Sequence, residues 1–343
     1  MIGFVIGRIL VTEAALLVLP LIVALLHGEA AHPFLIPMAL LVLIGLLLGV
    51  RRPARTALYA RDGLAIVALA WIAVSAFGAL PFVISGDIPF YVDAFFETVS
   101  GFTTTGASIL TEVESLSRGG LFWRSFTHWV GGMGVLVFVM AILPMSDGHG
   151  MHIMRAEVPG PTVGKLVSRM SDTAKILYGI YLVLTLVEIV LLLAGGMPLF
   201  DACIHSFGSA GTGGFSCRNL SVGAYQNPYF DIVIGIFMLL FGVNFNLYYF
   251  LLIRRFRDVF HSEELRSYLL IVTAAVVAIT VDIAHLYDSV STSLCHAFFQ
   301  VSSIITTTGY ATTDFNAWPT FSKGILVVLM FIGACAGSTG GGI

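Results

Sequence analysis

The chain alternates long apolar runs with short polar connections, and the run lengths predict membrane-spanning α-helices. A helix needs roughly 20 mostly apolar residues to cross a hydrocarbon core about 30 Å thick. Eight stretches fit that requirement, at about 5–26, 34–50, 63–85, 121–144, 174–195, 229–253, 267–287 and 321–343. Three intervening segments, 88–110, 198–218 and 288–314, have a different character. They are amphipathic, too short or too polar to span, and they end in Gly/Thr/Ser-rich tracts. They read as re-entrant, a short helix followed by an extended return. The expected fold class is an all-α polytopic membrane protein built from repeated helix–pore-loop–helix units.

Composition and charge sharpen this picture. The chain is 57% hydrophobic and 11% charged, against roughly 25% charged in soluble domains, which excludes an ordinary soluble protein. The net charge of −3 says less than the positions of the charges. With the N-terminus in the cytoplasm and the three segments re-entrant, Arg8, Arg51, Arg52, Arg55, Arg61, Arg155, Lys165, Arg169, Lys175, Arg254, Arg255, Arg257 and Arg266 all fall inside. These are thirteen of the seventeen basic residues, as the positive-inside rule requires; only Arg118, Arg124, Arg218 and Lys323 lie outside or near it. Reading the segments as full spans scrambles the bias. The apolar run after Arg8 exceeds the 7–15 residues typical of a signal-peptide core, so it reads as a retained first span. Cys203, Cys217, Cys295 and Cys335 show no C-x-x-C spacing and read as buried thiols.

The strongest signal is an internal repeat. Asp93-Ala94-Phe95-Phe96-Glu97 precedes Thr104-Thr105-Gly106-Ala107-Ser108. At the same offset His296-Ala297-Phe298-Phe299-Gln300 precedes Thr307-Thr308-Gly309-Tyr310-Ala311, and Asp201-Ala202-Cys203-Ile204-His205 precedes Thr212-Gly213-Gly214-Phe215-Ser216. A helix ending mid-membrane points its partially negative end at whatever lies beyond, which favours a cation. An extended segment after it can turn carbonyl oxygens toward an ion and replace its hydration shell, as potassium-channel filters do. Glycine permits the backbone angles this needs.

These three T-x-G segments resemble the TrkH/KtrB family of potassium transporters. Gly131-Gly132-Met133-Gly134, Ala156-Glu157-Val158-Pro159-Gly160-Pro161 and the run from Gly333 to Gly342 carry the same resemblance. The two spans ahead of the first unit are similar to TrkH rather than KtrB. The resemblance implies a pseudo-fourfold pore, with two extra helices in 1–60 and units at 61–150, 151–258 and 259–343. The family pattern continues with a fourth unit, so a partial sequence lacking the fourth filter segment and its pore-facing Arg is expected. Filter residues would be Thr104, Thr105, Gly106, Ala107, Thr212, Gly213, Gly214, Phe215, Thr307, Thr308, Gly309 and Tyr310, binding K⁺ as the transported ion. Gly337, Ser338, Thr339, Gly340, Gly341 and Gly342 would form an intramembrane gate. They contain no G-x-x-x-x-G-K-[ST], so nucleotide binding in this run fits poorly.

The resemblance further implies a homodimer in a bacterial or archaeal plasma (inner) membrane, in contact with lipid, with no covalently bound cofactor and no nucleic acid. A cytoplasmic nucleotide-binding ring of TrkA or KtrA type would dock on the basic loops 145–172 and 254–266, so a nucleotide would act only through that partner. The expected function is channel-like potassium uptake and not enzymatic. The alternative is a secondary transporter of another cation, coupled to Na⁺ or H⁺, on the same scaffold. Each filter has Ser108, Ser216 or Ala311 where a tetrameric potassium channel has a second glycine, which implies weaker selectivity.

Several polar residues invite bland and sharp readings together. Gly131, Gly132 and Gly134 fit close helix packing. Glu13, Glu188, Asn244 and Asn246 read as interhelical hydrogen-bonding groups inside spans, with an ion-pathway role as the rival. His128, His205 and His296 lack i, i+4 pairing and fit structural hydrogen bonds better than a metal site. Asp93, Asp201 and Asp288 stand at pore-helix starts, where acids are stabilising. Asp87, Asp93, Glu97, Glu112, Glu114 and Asp314 make the outer side acidic, which raises local cation concentration.

Overall fold

The computed structural model describes residues 2–49, 60–134 and 170–342. Among them every regular element is a helix: α1 (Ile2–Leu16), α2 (Val18–Leu26), α3 (His32–Gly49), α4 (Ala60–Gly78), α5 (Leu80–Ser85), α6 (Tyr91–Phe102), α7 (Arg118–Gly132), α8 (Met170–Ala194), α9 (Leu199–Ala210), α10 (Pro228–Phe241), α11 (Phe245–Leu252), α12 (Phe256–Phe260), α13 (Glu263–Ile283), α14 (Val290–Ile305) and α15 (Thr320–Ile332). Ile2–Leu26, His32–Gly49, Asp62–Ser85, Ala174–Ala194 and Glu263–Leu286 are long and apolar enough to span a membrane. Leu47, Leu270 and Val281 are two-thirds or more exposed, as lipid-facing side chains are. The remainder of the expected span at 121–144, the A-E-V-P-G-P segment and most of the loop 145–172 lie outside the described residues.

The chain divides into two compact units, Met1–Tyr178 and Gly179–Ile343. In the N-terminal unit, α1 packs along α3 at a glycine crossing. A Cβ on Gly7 would lie 2.7 Å from the Gly45 carbonyl, and one on Gly45 would lie 2.7 Å from that of Gly7. Small residues allow such approach where apolar lipid provides no hydrophobic drive between helices. Glu29, in the turn after α2, accepts from the N–H groups of Arg118 and Gly119 at 2.6 and 2.9 Å. Asp87 receives the Ser117 N–H and hydroxyl at 3.0 and 2.6 Å. Two carboxylates thus satisfy the orphan donors at the start of α7.

The C-terminal unit is built on α13 and α14. Ile279, Ile283, Ala297, Val301, Ile305 and Leu326 form its core. Ser262 caps α13 through the Leu265 N–H, and Ser322 at the start of α15 donates to Asp282 at 2.6 Å, repeating the Ser117–Asp87 pair.

Three expectations are corrected here. The predicted span at 229–253 is not straight: α10 ends at Phe241, and α11 leaves it at 90° after the break at Gly242–Asn244. The apolar run of 321–343 is helical only to Ile332, and a non-helical loop follows from Gly333 to Gly342. Asn244 is therefore not a helix-interior residue but the N-cap of α11, accepting from the Asn246 N–H at 3.0 Å.

Candidate ion-binding site

The three re-entrant segments end in the same way, bond for bond. In the first, the N–H groups of Thr103, Thr104 and Thr105 reach the carbonyls of Val99, Gly101 and Ser100. Gly211, Thr212 and Gly213 reach Phe207, Ser209 and Gly208, while Thr306, Thr307 and Thr308 reach Ser302, Ile304 and Ser303. Each is a Schellman closure, which requires a left-handed residue just past the helix end. That residue is Thr104, Thr212 or Thr307, with φ of 54°, 52° and 58°. Two residues later Gly106, Gly214 and Gly309 are again left-handed, at 74°, 77° and 87°. Two left-handed residues so close together break any regular ladder, and each loop beyond them is neither helix nor strand. The helices α6, α9 and α14 end at these loops with their partially negative poles.

Within the C-terminal unit the second and third loops lie against each other. A Cβ on Gly214 would overlap the Thr308 carbonyl. Tyr310 donates its hydroxyl to the carbonyls of His205 and Phe215, at 3.0 and 3.1 Å, filling the space that Gly208 leaves open. The first loop, Thr103–Ala107, belongs to the N-terminal unit.

The loop from Gly333 to Gly342 meets these segments directly. Thr212 Oγ1 donates to the Thr339 carbonyl at 2.8 Å, and the Gly341 N–H donates to Thr307 Oγ1 at 2.9 Å. The left-handed threonines of two loops thus hold this third one. Its ends close on each other, Ala334 N–H to Gly341 O at 2.9 Å. Its outer arc satisfies the broken span: Cys335 N–H reaches Gly242 O, Thr339 N–H and hydroxyl reach Phe241 O, and Phe245 N–H reaches Gly337 O. Backbone groups released by one break pair with those released by the other, as non-helical chain within a membrane demands.

Glu97 and His205 were named above on separate grounds, but the position they share with Gln300 was not. Glu97, His205 and Gln300 close the three repeated pentapeptides and occupy one place on α6, α9 and α14. Glu97 accepts from Ser108 Oγ at 2.9 Å and from the Ile109 N–H, and pairs with Arg124 Nε at 2.6 Å. His205 Nε2 pairs with Ser216 Oγ at 3.1 Å. The first two positions tie α6 and α9 to the chain just beyond the left-handed glycine. In the third repeat Ala311 replaces the serine. The shared offset was the signal that could have found them. Glu97 is thus not part of an acidic outer surface but is 1% exposed and ion-paired.

The other predicted residues separate. Asp93 and Asp201 lie in first turns, and Asp288 precedes the N-cap Ser289. Asp201 also accepts from Tyr225 at 2.6 Å and Arg218 at 3.3 Å. His296 pairs with Thr312 Oγ1, and His205 Nδ1 with the Asp201 carbonyl. Glu13 is 2% exposed, packs beside Gly78, and has no hydrogen-bond partner among the described residues, contrary to the interhelical bond expected of it. Glu188 lies buried near Ser209 but, like Glu13, has no hydrogen-bond partner among the described residues. Gly131 is a close-packing position, since a Cβ there would overlap the Phe102 carbonyl at the end of α6. Cys217 and Cys335 are buried, while Cys203 and Cys295 are half-buried.

Comparison with known proteins agrees with this architecture. Residues 32–343 match the TrkH family, described as a cation transport protein. The "Trk system potassium uptake protein TrkH" of Salmonella typhimurium is 39% identical over 346 residues, covering 99% of this chain and 72% of that protein. The protein of that name in Escherichia coli K12 is 37% identical over the same shares, and "Trk system potassium uptake protein TrkG" of the same strain is 38% identical over 82% of this chain and 59% of its own length. The crystal structure of the potassium transporter TrkH from Vibrio parahaemolyticus superposes with a TM-score of 0.86 at 34% identity, covering 99% of this chain and 71% of that one. This chain is therefore a polytopic membrane protein of the TrkH family of cation transport proteins.

Proposed function

We propose that the protein carries K⁺ into the cell through a channel-like pore whose filter is made of main-chain carbonyls. The observation that carries this reading is the threefold recurrence of one backbone path, a Schellman closure followed by a left-handed glycine. Such a path leaves carbonyl oxygens available to replace a cation's hydration shell. The relatives' names supply the ion: each is a Trk system potassium uptake protein. Filter positions are Thr104 to Ala107, Thr212 to Phe215 and Thr307 to Tyr310, arranged as pseudo-equivalent units of a fourfold pore. The loop from Gly337 to Gly342 obstructs the path below them, a role supported by its bonds to Thr212 and Thr307.

Around this core we place a homodimer in a bacterial or archaeal plasma membrane, with the N-terminus and the basic segment 254–266 in the cytoplasm. A nucleotide-binding regulatory subunit docks there and supplies any nucleotide control. The test is rubidium against sodium uptake in cells expressing Gly106→Ser, Gly214→Ser or Gly309→Ser. A side chain at these φ values is strained by roughly 1–2 kcal/mol, and at Gly214 it also meets the Thr308 carbonyl. The expected result is lowered K⁺/Na⁺ discrimination; an unchanged ratio in all three variants overturns the filter assignment.

A further inference from the structure

One side chain joins the basic segment 254–266 to the loop from Gly333 to Gly342. Glu264, in the first turn of α13, accepts the Ala336 N–H on Oε1 at 2.6 Å. Its Oε2 faces Asn244 Nδ2 at 3.4 Å. Asn244 is the cap at the break between α10 and α11, and its Oδ1 lies against Gly337, 3.3 Å from where a Cβ would stand. A single carboxylate therefore touches both the broken span and the outer arc of the loop. The inner arc is held separately, by Thr212 and Thr307.

The attachments differ in exposure: Thr212 is buried and Thr339 half-buried, whereas Thr307, Gly341 and Glu264 are exposed. Water competes for an exposed carboxylate, so its bond exchanges more easily than a buried one. The preceding chain is folded tightly onto the start of α13: Arg254 is left-handed at φ 60°, Arg255 pairs with Asp258 at 2.6 Å, and Arg266 Nε donates to the Phe260 carbonyl at 2.7 Å. A displacement of 254–262 would be transmitted to the first turn of α13, where Glu264 sits.

We propose that Glu264 is a positioning residue, a releasable tether that holds the loop against the broken span and couples it to the segment 254–262. Its effect on ion flux rests on the reading of that loop as the gate. Glutamine keeps an oxygen acceptor for the Ala336 N–H, while alanine removes it, so Glu264→Gln and Glu264→Ala separate the bond from the mere presence of a side chain.

The test uses two readouts in the membrane-embedded protein with Cys203, Cys217 and Cys295 changed to serine. The first is labelling of Cys335, adjacent to Ala336 and 4% exposed, by a membrane-impermeant maleimide. The second is rubidium uptake without a regulatory partner, together with the rubidium/sodium ratio. In Glu264→Ala, labelling of Cys335 should rise about threefold to tenfold, the range of a charged hydrogen bond partly screened by water. Uptake should rise with it at an unchanged ratio, and Glu264→Gln should stay within about twofold of the parent on both. Unchanged labelling in Glu264→Ala overturns the tether and leaves the gate reading standing. Raised labelling with unchanged uptake supports the tether and overturns the gate reading.

Discussion

Thr104, Thr212 and Thr307 hold a conformation that β-branched residues avoid and glycine adopts freely. Strain of this kind costs about 1–3 kcal/mol per site and persists only where the surroundings over-determine it. At Thr212 and Thr307 those surroundings are visible, because each hydroxyl also holds the loop at 339–341. Glycine would relax the backbone and lose that link. The Glu97–Arg124 pair poses a second problem at this scale, since both side chains are removed from water. Breaking a buried pair strands a charge at about 3–5 kcal/mol, whereas replacing both partners by apolar groups is often neutral. Glu97→Ala or Arg124→Ala should therefore lower the melting temperature in detergent sharply. Glu97→Leu with Arg124→Met should lie closer to the parent, and a double variant as unstable as the worse single would contradict this account.

Elements are joined here by close approach more than by apolar area. α7 passes over the end of α6 at Gly131, against the Phe102 carbonyl immediately before the loop Thr103–Ala107. Gly131→Ala must push the two apart, and overpacking typically costs about 1–3 kcal/mol. Thermal melts and folded yield should both fall, with Gly179→Ala, which meets nothing within 4 Å, as the silent control. The straight span predicted at 229–253 failed at this same scale. Gly242 and Asn244 are weak helix formers, but single Gly and Asn residues also occur inside unbroken spans, so composition alone does not place a break there. What permits the break is a set of partners far along the chain: Thr339 reaches Phe241 across 98 positions.

At the scale of the whole molecule, the pair of helices before the first unit is anchored as well as packed. Glu29 caps α7 from the turn after α2, 89 positions earlier in the chain. Glu29→Ala removes a carboxylate from a helix N-terminus, worth about 0.3–2 kcal/mol. It should lower thermal stability modestly while leaving the rubidium/sodium ratio unchanged; a shifted ratio would mean that these helices act on selectivity.

The sequence by itself determined the membrane character, the three short helices that run into loops and the register of the repeat, down to the glycines that turn left-handed. These features are local: run length, charge position and offset follow from how apolar faces and helix ends must meet lipid and water. Only the tertiary structure decided that threonines close α6, α9 and α14, that Glu97 is buried against Arg124, and that a break after Phe241 pairs with a loop after Ile332. Each depends on a backbone or charged group finding its partner tens of residues away. Inside an apolar medium an unsatisfied group is too costly to leave unpaired, and composition along the chain does not record which distant group will satisfy it.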